Sequence, residues 1–464
     1  MSFIYVLAVF LVIFEGIINQ CESAEDGDSS NTPDLPNDLW ELIFSKTDCK
    51  TQAKAVLLKM IKEDETNTLM TRLLQVNTIQ IMPEHGSRFL EHHQDGKLYL
   101  KFGVYEELIS FFKRFGDQVK NIAICYSSSD KSVPHKEINE NIIKKYAKNF
   151  EDLRIDTQND NGFWEEILDG ENGIIFPKVK NFEIMGRSCR EKFDLNSIFP
   201  KLESFLLLKS VADKNCLANV KGLKCLGLLT DSIKGDKLND IIANNVNMTT
   251  MCLTNLNRTE TMYSIAKHSM NLKVFAVNFP GVGFLLRANG NPVYMLPSVT
   301  RFSIAYSEMD KIFGIGVLDL SFDMPNLTSL SLSGRQADDR IINFMKYFKK
   351  LKVVEFLVNE YNGVELIKKL KHIVEFTIMF NEGDFESLMK MFENFDKESK
   401  LQTLRLLYYP ESLYQNYVAE MEKLNIHLIS LKPTWTLSQE IKTFPDRNYM
   451  VFRREPCICK SCKK

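Results

Sequence analysis

The segment Met324-Pro325-Asn326-Leu327-Thr328-Ser329-Leu330-Ser331-Leu332-Ser333-Gly334 spaces three leucines as L-x-x-L-x-L, behind a Pro-Asn turn and ahead of a glycine stop. Side chains alternate across a strand, so Leu330 and Leu332 point one way while Ser329, Ser331 and Ser333 point the other. One such strand cannot bury its own leucines. Copies stacked side by side can, with each strand pairing to the next and a helix or loop closing each coil. A chain that repeats this unit at a steady interval is therefore constrained to a solenoid.

The unit does recur. Equivalent triplets stand at Phe150/Leu153/Ile155, Val179/Phe182/Ile184, Leu202/Phe205/Leu207, Leu223/Leu226/Leu228, Met248/Met251/Leu253, Leu272/Phe275/Val277 and Val299/Phe302/Ile304. Leu327/Leu330/Leu332 is followed by Leu351/Val354/Phe356, Ile373/Phe376/Ile378 and Leu401/Leu404/Leu406. Apolar residues are common enough that chance supplies roughly twenty loose matches, so the triplets alone prove little. Their order carries the inference: from Phe150 to Leu401 every step is 21 to 29 residues, a mean of about 25, inside the range of leucine-rich repeats. Val119/Ile122/Ile124 reads as a first, capping repeat, and Val76/Ile79/Ile81 as a cryptic one. Helices are expected over Tyr105 to Phe115 and from about Lys136 to Lys148, the latter presenting Ile138, Ile142 and Tyr146 on one side. Others are expected over Asp339 to Phe348, Asp384 to Phe392 and Glu411 to Leu424. Strand and helix in alternation predict an α/β horseshoe with helices on the convex face. An ordinary α/β domain with short buried strands is the other reading of the same pattern.

At 464 residues the length alone suggests about three domains, but a repeat array escapes that prior because its core grows by stacking. A net charge of -2, with no basic block before the last residues, argues against nucleic acid as the main partner. Ten cysteines are scattered, without close pairs until Cys457, Cys459 and Cys462. Those at Cys125, Cys189, Cys216, Cys225 and Cys252 mostly sit beside or within repeat strands, where a reduced thiol acts as a small core hydrophobe, although Cys252 also falls in the outward series of its strand; this favours a reducing compartment. The N-terminus points the other way. Phe3 to Phe14 is an apolar run with a small-residue cleavage site ending at Ser23, the pattern of a signal peptide, although no Lys or Arg precedes it. Sequons at Asn247, Asn257 and Asn326 are as frequent as chance supplies.

Residues 24–32 are acidic and polar, a linker. In the segment that follows, Leu35, Leu39, Leu42 and Ile43 fall on one helical stripe, Pro36 can open that helix, and Asp48 can cap a second that carries Ala55, Leu57 and Leu58. Two such short helices are too small to bury themselves alone, and their stripes invite a partner helix. The Leu35-Pro36 opening, Leu39 four residues on, and the run Ile43-Phe44-Ser45 followed by Asp48 resemble an F-box. Thr47 stands where that family usually has leucine, and Lys62 about where its closing tryptophan is expected. An F-box followed by leucine-rich repeats resembles the substrate receptors of SCF-type cullin-RING ubiquitin ligases, especially insect-type members. The resemblance implies that Leu35, Pro36, Leu39, Ile43 and Phe44 dock on the SCF adaptor that links the chain to the cullin scaffold, while the repeats hold a protein substrate.

No catalytic constellation emerges, and no enzyme, cofactor, metal or obligate small molecule is expected. His92-His93 reads as a polar turn, the pairs Gly281/Gly283 and Gly314/Gly316 complete no dinucleotide fingerprint, and Cys457, Cys459 and Cys462 offer three thiolates where zinc wants four ligands. The functional surface should be the strand face opposite the buried triplets. Its residues for binding a partner are Leu206, Leu229, Ser303, Ser331, Glu355, Thr377 and Arg405, small and polar in the middle and apolar toward both ends, a mixture suited to a protein rather than a phosphate-rich ligand.

The sequence thus predicts an apolar segment at 1–23, an F-box-like helical module at 33–62, a connecting region at 63–118, a leucine-rich-repeat solenoid at 119–431, and a C-terminal cap with a basic cysteine-containing tail at 432–464. The expected function is that of a cytoplasmic or nuclear substrate receptor. The alternative is a secreted or cell-surface leucine-rich-repeat protein that binds an extracellular ligand.

Overall fold

The computed structural model describes residues 78–81, 99–102, 105–125, 135–156, 173–185, 194–208, 219–229, 235–254, 259–278, 294–305, 322–334, 347–358, 370–379, 400–408, 435–444 and 447–454, with single positions at 167, 217, 345, 389, 392, 424 and 426–428. The F-box-like segment lies outside the described residues, as do the apolar N-terminus and the cysteine tail. So do most positions of the three later predicted helices. Contacts divide the chain into two compact units, residues 1–187 with 197–201, and residues 188–196 with 202–464.

In the first unit, strands β1 (Thr78–Ile81), β2 (Tyr99–Phe102), β3 (Asn121–Cys125), β4 (Asp152–Asp156) and β5 (Asn181–Met185) run parallel in the order β2-β1-β3-β4-β5. Ile79 and Ile81 align with Ile122 and Ile124, so the cryptic triplet joins the ladder in phase with the first clear one. Helix α1 (Tyr105–Phe115) has the predicted bounds. Its Leu108, Phe111, Phe112 and Phe115 recur at helical spacing and are all buried. The next helical stretch runs from His135 to Asn149 and widens into a π-helical turn over Asn139–Ile143. It buries Ile138, Ile142 and Tyr146, the side predicted from sequence. The Phe112 and Tyr146 rings lie 5.5 Å apart. Gly116 is required here, because a Cβ would come within 2.5 Å of the buried Tyr146 ring.

The second unit continues the pattern. Strands β6 (Ser204–Leu208), β7 (Cys225–Leu229), β8 (Thr250–Thr254), β9 (Val274–Asn278), β11 (Arg301–Ala305), β13 (Ser329–Gly334), β14 (Val353–Val358), β15 (Glu375–Met379) and β16 (Thr403–Tyr408) form one parallel ladder in that order. A minor ladder pairs β10 (Tyr294–Met295) with β12 (Phe322–Asp323). Parallel neighbours cannot be joined by a tight hairpin. Among the described residues, α2 (Gly235–Asn244) and α3 (Thr259–His268) lie in two successive crossovers and pack on each other. The result is a mixed α/β solenoid.

Its core is the predicted set of triplets. Every residue of the eleven, from Phe150/Leu153/Ile155 to Leu401/Leu404/Leu406, is buried, the most exposed being Ile378 at 7%. Asparagines tie coil to coil. Buried Asn245 accepts from the Leu223 N–H at 2.8 Å and donates to the Val220 and Ile241 carbonyls at 2.8 and 2.7 Å. Asn196 bridges Asn219 and Lys221, and Asn326 donates to the Pro297 carbonyl at 2.8 Å. Such side chains satisfy turn amides and carbonyls that the ladder leaves without partners. Gly222, with φ of 84°, supplies the left-handed residue before Leu223.

The parallel ladder closes on an antiparallel hairpin. β18 (Arg447–Arg454) pairs with β16, and β17 (Trp435–Phe444) lies outside it. Trp435 is buried against Phe392, which also meets Phe452, with ring centroids 5.4 and 5.2 Å apart. Those aromatics cover the apolar end that a stacked array would otherwise leave open to water.

Candidate functional site: the open face of the repeat sheet

In each repeat strand the positions between the buried residues face the other way, and the pairing register aligns them into rows. The middle row of the second unit runs Leu206, Gly227, Cys252, Ala276, Ser303, Ser331, Glu355, Thr377, Arg405 and Val451. Six of the seven residues predicted to bind a partner fall in this row. Leu229 falls in the next, opposite Leu208. Leu206, Ser303, Ser331, Glu355 and Arg405 are partly exposed, whereas Thr377, between two longer charged side chains, is only 6% exposed.

The centre of the row is shallow for a definite reason. At Gly227 a Cβ would lie 2.1 Å from Leu206 Cδ1, so the leucine lies across the neighbouring strand where any other residue would push it away. From Gly227 to Ser331 no side chain in the row is larger than cysteine. Two of the thiols differ from expectation. Cys225 and Cys252 do not serve the core. They lie partly exposed on the open face, diagonal to one another, because their positions belong to the outward set. Burial raises the Cys225 thiol while a hydrogen bond with Ser204 opposes that rise, and burial together with Cys225 pushes Cys252 up to about 11. Both remain protonated at neutral pH and are poor nucleophiles.

Each unit carries charge on its own strands. In the second unit Arg405 donates to Glu375 across the sheet at 2.9 Å, with both side chains about a third exposed. In the first unit, the Arg154 Nε lies 3.5 Å from Glu183 in a pair only 15% and 11% exposed, and Asn181 donates to Asp152. Beside them, Lys120 bonds to Glu151 at 2.8 Å and holds that carboxyl below its ordinary range, against the effect of burial.

Chemically, this face can present hydrogen-bonding hydroxyls, a few oriented charges and a flat floor. Among the described residues no group of three His, Cys, Asp or Glu side chains is gathered to hold a metal ion. His92, His93, Cys457, Cys459 and Cys462 lie outside those residues, as do the adaptor-binding set Leu35, Pro36, Leu39, Ile43 and Phe44. Among the described residues, no helix is long and apolar enough to cross a membrane. No protein-family model matches the chain, and no curated protein matches it.

Proposed function

We propose that the chain is a non-enzymatic recognition protein, with leucine-rich repeats that hold a protein partner on their open face. Within that class we assign it the role of substrate-recognition subunit of an SCF-type ubiquitin ligase, with the F-box-like segment at 33–62 as its adaptor-binding arm. The observation that carries the recognition role is the aligned row from Leu206 to Arg405, an uncharged floor as far as Ser331 that ends in the charges of Glu355, Glu375 and Arg405. Interfaces of this kind depend on complementary shape with a few fixed polar groups rather than on apolar area alone. The ligase role draws its support from the resemblance of Leu35, Pro36, Leu39, Ile43 and Phe44 to an F-box.

The test is titration of purified chain with the SCF adaptor. Truncating a buried interface anchor typically costs about 2 kcal/mol or more, over tenfold in affinity. Ile43→Asp should therefore abolish measurable binding. An unaltered chain with no affinity for the adaptor overturns the ligase role and leaves the recognition role standing. The secreted reading is favoured by the apolar run from Phe3 to Phe14 and by the exposed sequon residue Asn247. It predicts a mature N-terminus near Ala24 and glycan on Asn247 in protein from its native cells.

A further inference from the structure

Just before each strand the chain turns, and in the second half of the solenoid these turns are basic. Lys273, Arg301, Lys349, Lys352 and Lys400 are all exposed at or near the starts of β9, β11, β14 and β16. The backbone ladder aligns Lys273 and Lys352, since the Lys273 carbonyl accepts from Thr300, Thr300 from Thr328, and Thr328 from Lys352; Arg301 follows Thr300 on the same ladder, and Lys349 and Lys400 stand two or three residues ahead of ladder positions in their own turns. With strands about 4.8 Å apart, the five cations are spread over roughly 24 Å. The acidic residues described on this stretch of edge are Asp323 and Glu375, and Glu375 is turned to Arg405. Among the described residues, basic side chains therefore outnumber acidic ones along this edge, on a chain whose net charge is -2.

The earlier repeats provide an internal contrast. There the same turn positions hold Lys120 and Lys180, both joined to Glu151, and Lys224, joined to Glu203 at 2.9 Å. Basic turn residues are thus paired with carboxylates at the start of the solenoid, whereas the later five form no such pair among the described residues. Exposed apolar residues lie in the same turns, two to six residues ahead of Lys273, Arg301 and Lys349: Met270, Met295 and Tyr347 are 51%, 47% and 60% exposed. Exposed thioethers adapt to apolar side chains of varied shape. A surface for single-stranded nucleic acid would instead be expected to pair its cations with a row of stacking aromatics.

We infer that this edge is a docking surface for an acidic protein segment that also carries apolar side chains, its carboxylates on the basic residues and its apolar residues on Met270, Met295 and Tyr347. This inference rests on the recognition role proposed above and adds to the open face an edge that takes an acidic segment of the same partner. It is independent of the adaptor, so the two can fail separately.

The test uses the full chain and a fluorescein-labelled peptide of about 20 residues that alternates Glu or Asp with Leu or Phe, long enough when extended to span the edge, followed by anisotropy. Because exposed charge pairs are individually weak and screened by salt, three charge reversals are needed for a clear effect. Lys349→Glu/Lys352→Glu/Lys400→Glu should weaken binding about tenfold or more, by the loss of charge complementarity. The control Lys144→Glu/Lys145→Glu/Lys148→Glu makes the same change of net charge on the helical stretch of the first unit and should change binding less than about twofold at equal salt. The neutralising pair Lys352→Gln/Lys400→Gln, whose folding is checked by circular dichroism, should give an intermediate loss. Replacing Leu and Phe in the peptide by Ser should also weaken it. No binding of the peptide, equal losses in the edge and control triples, or tighter binding of a charge-matched single-stranded oligonucleotide would each overturn the inference.

Discussion

Leu330 and Ser331 are neighbours on β13, and replacing each by alanine should have very different consequences. Leu330 is fully buried, in register with Phe302 on one side and Val354 on the other, both of which are buried too. Leu→Ala removes three carbons at about 0.8 kcal/mol each, or about 2.4 kcal/mol of transfer free energy. The cavity left between Phe302 and Val354 raises the total to about 3–5 kcal/mol. Ser331 is partly exposed on the open face with small neighbours, and its replacement should stay within about 0.5 kcal/mol. Leu330→Asp should be worse than Leu330→Ala, because it buries an uncompensated charge. Because each repeat depends on its neighbours, loss of β13 should propagate along the ladder. Urea unfolding followed by far-ultraviolet circular dichroism measures the midpoints of the three variants. Equal midpoints for Leu330→Ala and Ser331→Ala, or a stable Leu330→Asp monomer, would refute the alternation on which the whole fold rests.

Gly227→Ala should leave stability within about 1 kcal/mol, since the strand gains about 0.5–1 kcal/mol on losing a glycine while the flexible end of Leu206 shifts aside at a similar cost. A shifted Leu206 methyl resonance with an unchanged unfolding midpoint is the expected signature, whereas Gly116→Ala, which meets the buried Tyr146 ring, should cost about 1–3 kcal/mol. Asn245→Ala leaves the Leu223 N–H and the Val220 carbonyl buried without their partner and should cost about 2–4 kcal/mol by the same unfolding assay. His372 is held below its ordinary value of 6.5 by burial and then by Lys400. Its depressed folded pKa makes the contribution to stability full above the unfolded value and lost as pH falls through the folded one. His372→Gln should therefore flatten the decline of the unfolding midpoint below about pH 6.5, and an unchanged slope would exclude the residue as its source.

The core was legible because burial imposes a period on the chain. L-x-x-L-x-L leaves a trace at every coil, and Phe275 or Leu404 can be placed without knowing what it touches. Ser331 and Glu355 followed from the same alternation, since a residue between two buried ones must face outward. That rule also turns Cys252 outward as the central residue of its triplet, whereas reading Cys225 as a core thiol overlooked its phase within the strand. Gly227 gives no local sign that Leu206, 21 residues earlier, lies across it. The basic edge was hidden for a related reason. Lys273, Arg301 and the run from Lys349 to Lys352 stand 28 or more residues apart in sequence, and the net charge of -2 masks them until neighbouring turns bring them together. The carboxylates that neutralise Lys120 and Lys224 lie 31 and 21 residues away, too far for any window of sequence to pair them.

The most direct test of a receptor with two separate binding arms is quantitative mass spectrometry of proteins captured with the full chain from its own cells, using gentle crosslinking. Three versions are compared: unaltered, Ile43→Asp, and Lys349→Glu/Lys352→Glu/Lys400→Glu. The unaltered chain should bring down the adaptor, the cullin and a protein with an acidic segment. Ile43→Asp should lose the first two and keep the third, while the edge variant should lose the third and keep the first two. Absence of the adaptor from the unaltered chain, or loss of all three proteins together from either variant, would contradict the two-arm receptor.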